Sequence, residues 1–269
     1  MKYGKGKSMQ TIKEFQAGKL FVKVYENRGD LGKASAEEMA VVLKKLLSEK
    51  NEVNIIFAAA PSQNEFLEAL IGTKGIDWSR VNAFHLDEYI GIAPDASQGF
   101  GNFLRERIFG KVTMKVVNYI DGNANDPEKE ITRYAALFKR FPPDIVCMGI
   151  GENGHIAFND PHIAQFNDDL LAKVVELDEK CRNQQVNDGC FMRFEYVPTH
   201  ALTLTIPALF SAKYIFCMVP GRLKANAVER AISGEVNESC PASILRTHDQ
   251  AVLYIDRDSA SELKTTNGD

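Results

Sequence analysis

Five near-continuous apolar runs punctuate the chain, at residues 53–58, 81–86, 144–149, 214–219 and 251–255. Each is short enough for a buried strand, and the first is followed by Phe66, Leu67, Leu70 and Ile71 at helical spacing. Strands apolar on both faces and separated by helical patterns predict a parallel sheet covered on both sides. The expected class is α/β: a doubly wound, mostly parallel, Rossmann-like sheet with helices on both faces. No linker, repeat or low-complexity tract divides the 269 residues, so a single domain over 1–269 is expected. Two S-x-x-E patterns, Ser35 to Glu38 and Ser62 to Glu65, predict capped helix starts. The second follows directly on a buried strand, where a helix N-terminus can hold an anion.

Composition narrows the field of functions. The 32 basic and 36 acidic side chains leave a formal net charge of −4, which argues against a general nucleic-acid binder. Hydrophobic residues at 45% and charged residues at 25% exclude a disordered or collagen-like chain. No apolar stretch approaches the roughly 20 residues that span a bilayer, and the basic start at residues 1–7 has no apolar core behind it, so neither membrane nor secretory signal is expected. Five cysteines without a C-x-x-C pattern predict free thiols and a reducing, cytoplasmic setting.

Two clusters carry candidate chemistry. Gly149-Ile150-Gly151-Glu152-Asn153-Gly154 has the glycine spacing of a dinucleotide loop, but Pro161 stops any long helix soon after it, so a nicotinamide cofactor is not expected. The loop instead sets Asn153, His155 and Asp160 beside flexible backbone at a strand end, where a carboxylate can orient an imidazole that exchanges protons near neutral pH. The second cluster is Phe84-His85-Leu86-Asp87-Glu88-Tyr89. Adjacent carboxylates among apolar neighbours are costly to bury. Successive strand residues point to opposite faces, so one should face the cleft and the other support the loop. His85, Asp87, His155 and Asp160 fit no recognised metal spacing, and no metal is expected.

With these segments in place, the chain resembles the glucosamine-6-phosphate deaminase/isomerase family, whose relatives include 6-phosphogluconolactonase. The likeness is carried by Phe84 through Gly91, by Gly149 through Pro161, and by a third stretch from Val197-Pro198 to Lys224. The resemblance implies metal-free, cofactor-free acid–base chemistry on an amino-sugar phosphate, giving a ketose phosphate and ammonia. It implies that Asp87 moves a proton between C1 and C2 of the opened sugar, that His155 assists ring opening, and that Asn153 and Asp160 hold that histidine. Ser62, Glu88 and Lys224 are the implied substrate-binding residues. Family members usually carry glutamate where Asp160 stands, one methylene longer.

The implied phosphate pocket departs from the family pattern. Ala58-Ala59-Ala60-Pro61-Ser62-Gln63 replaces a Thr/Gly-rich loop, and an arginine expected downstream of Leu177 is missing, its place falling near Asn187. Arg182, Arg193 and Arg222 are the replacement charges considered, with no choice among them. The short tail after the last apolar run leads us to expect none of the allosteric regulation found in some deaminases. The gluco or galacto configuration and a homo-oligomeric state stay open. A sugar-phosphate lactonase is the second enzyme reading, and a sensor that has lost catalysis the third. Asp87 favours the isomerase, because hydrolysis needs no carboxylate to carry a carbon-bound proton.

Overall fold

The computed structural model describes residues 11–264; the basic start at residues 1–7 lies outside them. An N-terminal hairpin pairs β1 (Lys13–Ala17) with β2 (Leu20–Tyr25), and α1 (Arg28–Glu49) leads to β3 (Val53–Phe57). α2 (Asn64–Gly72) connects β3 to β4 (Val81–His85). The next segment supplies β5 (Asp87–Tyr89), α3 (Phe100–Leu104), β6 (Val116–Val117) and α4 (Pro127–Arg140). β7 (Ile145–Met148), β8 (Ala172–Glu176), α5 (Glu179–Asn187) and β9 (His200–Leu204) follow. The chain closes with α6 (Ile206–Phe210), β10 (Tyr214–Val219), α7 (Ala225–Ser233) and β11 (Ala251–Asp256).

All five apolar runs are strands of one eight-stranded sheet, ordered β1-β2-β11-β10-β7-β3-β4-β6. Every pairing is parallel except the β1–β2 edge hairpin. Both faces are buried: Ile55, Phe57 and Cys147 enter one apolar cluster, while Ile56, Val146 and Met148 enter the other. β3 and β7 are neighbours from which the chain leaves in opposite directions, toward β4 on one side and β10 on the other. Such a reversal opens a crevice at the carboxyl ends of the two strands.

A second, antiparallel sheet, β5-β9-β8, was not visible in the apolar pattern because its strands are short and mixed in character. Leu86 is the pivot between the sheets. Its amide donates to Phe57 in the large sheet at 3.3 Å, and its carbonyl accepts from Leu204 in the small one at 2.9 Å.

Neither predicted capping box forms. α1 begins at Arg28, capped by Asn27, whose side chain accepts from the Asp30 amide, and Ser35 is buried mid-helix with its hydroxyl on the Gly32 carbonyl. Gly32 disguises the true start. A Cβ there would lie 2.5 Å from that of Glu65, so the glycine is required by the α1–α2 crossing rather than marking a break. Ser62 sits in a 3₁₀ turn, Pro61–Gln63, before α2, and makes no cap bond.

Candidate active site

The crevice at the β3/β7 reversal holds a cleft that is partly open to solvent. Residues 58–62 beyond β3 form one wall, and Gly149, Ile150 and Gly151 beyond β7 form another. Gln63 ties the walls together, its amide nitrogen 3.4 Å from the Met148 carbonyl and 3.3 Å from that of Met218.

Asp87 reaches this cleft because the chain changes sheets at Leu86. Its carboxylate accepts no hydrogen bond from another described group, although the residue is only 6% exposed. Burial, reinforced by the neighbouring Glu88, pushes its pKa well above the ordinary carboxylate range. His85 fixes the backbone beneath it. The imidazole Nε2 accepts from the Ile120 amide at 2.9 Å, which assigns the proton to Nδ1 and directs it to the Asp87 carbonyl at 2.8 Å. Burial lowers the His85 pKa to about 4, so this is a neutral structural link and not a proton carrier at neutral pH.

Glu88 does not reach the cleft with Asp87. Its carboxylate accepts from the amides of Tyr89, Phe100 and Gly101, at 3.0, 3.0 and 2.8 Å, and so binds the start of α3. Burial raises its pKa while these amides oppose the rise. The substrate-binding expectation for Glu88 is therefore corrected: alternation along β5 sends it away from the cleft.

On the other wall, the loop after β7 folds tightly on itself, with the Gly151 amide on the His155 carbonyl at 2.9 Å. A Cβ on Gly151 would fall 2.2 to 2.4 Å from the His155 ring atoms, so only glycine leaves room for the imidazole. Ala157, which also lines the cleft, has φ of 50°, a left-handed conformation costly for alanine. Nδ1 of His155 lies 2.9 Å from Asp160 Oδ1, so the shorter aspartate still engages the histidine. The approach is bent away from a linear N–H bond.

Asn153 lies behind this pair rather than in the cleft. Its side-chain oxygen accepts from the His155 amide at 2.9 Å, while its nitrogen donates to Asp160 Oδ1 at 2.9 Å and to Asp178 Oδ2 at 3.0 Å. Burial opposes ionisation of Asp160, but His155, Asn153 and the Asp178 amide together hold its carboxyl below the usual range. Cys181 is the third member of this cluster, with its Sγ within 4.8 Å of donor atoms of His155 and Asp160. Burial first, and then Asp160 and Asp178, raise its thiol pKa well above normal, which disfavours the thiolate that a metal or an electrophile would need.

Lys224 is 6% exposed, lines the cleft, and its ammonium has no hydrogen-bond partner among the described residues. Burial lowers its pKa, against the opposing pull of Asp188 and Glu152. An unpaired buried cation is costly unless an anion meets it. Ser62 lines the same cleft, its hydroxyl accepting from Gln63 at 3.1 Å.

Residues 26–254 match the family described as glucosamine-6-phosphate isomerases/6-phosphogluconolactonase. The chain belongs to this family. A glucosamine-6-phosphate deaminase of Listeria innocua serovar 6a is 34% identical over 229 residues, covering 85% of this chain and 95% of that protein. One from an Exiguobacterium species is 35% identical over 227 residues, covering 84% and 87%. Among solved structures, a monomeric glucosamine-6-phosphate deaminase superposes with a TM-score of 0.81 at 29% identity, covering 89% of this chain and 98% of that one. A 6-phosphogluconolactonase from Thermotoga maritima shares the fold, with a TM-score of 0.70 at 21% identity and coverage of 87% and 98%.

Within this glucosamine-6-phosphate isomerase family, the missing arginine is a structural question. Gln184, Gln185 and Asp188, from α5 and its C-terminus, line the cleft near the place where the arginine was expected. None of the three arginines considered from sequence reaches it. Arg182 donates to the carbonyls of Phe194 and Val197, while Arg193 and Arg222 are exposed and do not line the cleft. The arginine that does line it is Arg28, from the first turn of α1. Nothing in the local sequence around Arg28 marks it, because its position depends on how α1 packs against α2.

Proposed function

We propose that this protein is an amino-sugar phosphate isomerase/deaminase that converts a hexosamine 6-phosphate to a ketose 6-phosphate and ammonia. One observation carries the reading: Asp87, His155 and the unpaired Lys224 open onto the same cleft. His155, oriented by Asp160, assists opening of the sugar ring, which exposes the C1 carbonyl. Asp87 takes the proton from C2 and returns it to C1, while O1 gains a proton and the amine nitrogen loses one, which leaves a C1 hydroxyl and an imine at C2. Water then hydrolyses that imine to the ketone, and ammonia departs. A desolvated carboxylate is a stronger base than a hydrated one, which suits Asp87 to a carbon-bound proton. Lys224 and Ser62 receive the phosphate. The two curated relatives named above carry the deaminase name, and this supports the same chemistry here.

The deciding experiment measures ammonia and ketose phosphate formed from glucosamine 6-phosphate and galactosamine 6-phosphate, with 6-phosphogluconolactone hydrolysis measured in parallel. Equimolar ammonia and ketose from either amino sugar supports the proposal. Lactone hydrolysis alone, retained in Asp87→Asn, refutes it. A reducing, cytoplasmic setting is part of the proposal and is supported by five unpaired cysteines, four of them buried.

A further inference from the structure

Lys224 is poorly matched to a phosphate monoester by itself. Asp188 lines the same cleft, and its carboxylate already opposes part of that lysine's charge, so much of a dianion's charge would go uncompensated. A second cation stands at the rim. The Arg28 side chain, 47% exposed, is pinned on two of its three nitrogens. Nε lies 2.6 Å from Glu65 Oε1, and Nη2 donates to Glu65 Oε2 and to the Pro61 carbonyl, both at 2.9 Å. Nη1 has no partner among the described residues.

We propose that Arg28 is a specificity-determining residue that binds the substrate's phosphate through Nη1, in place of the arginine that α5 lacks. This rests on the sugar-phosphate reading given above. Glu65 lowers the net charge of the pair but fixes the guanidinium plane, so little side-chain freedom remains to be lost on binding. Pro61 belongs to the cleft wall that also contains Ser62, so the guanidinium is tied to the segment that carries that hydroxyl. The phosphate contacts therefore come from three separate segments of chain: the start of α1, the turn after β3, and the start of α7.

Steady-state kinetics on wild type, Arg28→Ala, Arg28→Lys and Glu65→Gln, with a hexosamine 6-phosphate and the corresponding free hexosamine, test the proposal. Thermal melting of each variant runs alongside. Arg28→Ala is expected to raise KM for the phosphorylated sugar about tenfold or more, with kcat within about twofold, the loss expected of a charge-assisted contact. The free sugar should react with unchanged kcat/KM. Arg28→Lys should recover only part of the loss, because an ammonium lacks the fork. Glu65→Gln, which loosens the pin but keeps Nη1, should raise KM less than Arg28→Ala. An unchanged KM in folded Arg28→Ala overturns the inference while the deaminase reading stands. An equal loss for both sugars in Arg28→Ala and Glu65→Gln also overturns it, since the pair would then only brace the turn. A wild-type enzyme inactive on every hexosamine 6-phosphate overturns both the inference and the reading beneath it.

Discussion

The Asp87 carboxylate is buried without a hydrogen-bond donor among the described groups, and that has two measurable consequences. It must be ionised to accept a proton, and its pKa is raised by burial and by Glu88, so the acid limb of kcat/KM should lie above the ordinary carboxylate range. Asp87→Asn should remove that limb and cut turnover by ~10²–10⁴, with ligand affinity measured on the same preparation nearly intact. Stability should move the other way. A carboxyl with a raised folded pKa stabilises the fold only while protonated, so its ionisation weakens the fold as pH climbs above the unfolded value of about 4. Asp87→Asn should therefore melt at a higher temperature than wild type at pH 7, with the gap closing below about pH 4. A variant that melts lower at pH 7 would show that the carboxylate is structural. Asp160 has the opposite sign: its folded pKa is depressed, so its stabilising contribution is present at neutral pH and fades as acid protonates it.

At the scale of elements, two short segments carry the site. α3 is a five-residue helix whose first amides are held by Glu88, a buried carboxylate. Glu88→Ala leaves those amides unpaired and should cost at least ~1–3 kcal/mol, read from denaturant unfolding. Its effect on activity should come through Asp87, its neighbour on β5, and so appear in kcat more than in KM. The loop after β7 depends on Gly151. Gly151→Ala drives a methyl into the His155 ring and should abolish most turnover while the melting temperature falls only modestly. Full activity in that variant would mean that the ring need not stay where it lies.

For the whole molecule, the cleft is assembled from the ends of β3, β4, β7 and β10, so a ligand that fills it should brace the sheet's carboxyl edge. A sugar phosphate at about 100 times its Kd should stabilise the fold by roughly 2.7 kcal/mol. Lys224→Ala should weaken binding of the phosphorylated ligand by ~1.5–3 kcal/mol and leave the free sugar almost unaffected. Equal weakening of both would assign Lys224 a structural role. Calorimetric titration with both sugars, together with melting curves in their presence, measures all three quantities.

The α/β class and its five central strands were legible in the chain itself, because a strand buried on both faces must be apolar at every position. Asp87, His155 and Asp160 could also be picked out, since polar groups at the ends of such strands stand out against their surroundings. What the sequence could not determine was direction and company. Asp87 and Glu88 are adjacent and chemically alike, and only the passage from the large sheet to the small one at Leu86 turns the first into the cleft and the second onto α3. Ser35 and Ser62 fit a local capping rule, yet α1 starts at Arg28 and Ser62 belongs to a 3₁₀ turn, because tertiary packing outweighs the few tenths to ~2 kcal/mol a cap contributes. Arg28 is the clearest case. It lies 34 residues before Ser62 and 196 before Lys224 in the numbering, and no spacing links them. Only the packing of α1 against α2, where Gly32 allows close approach, carries a guanidinium from the first turn of α1 to the rim of the cleft.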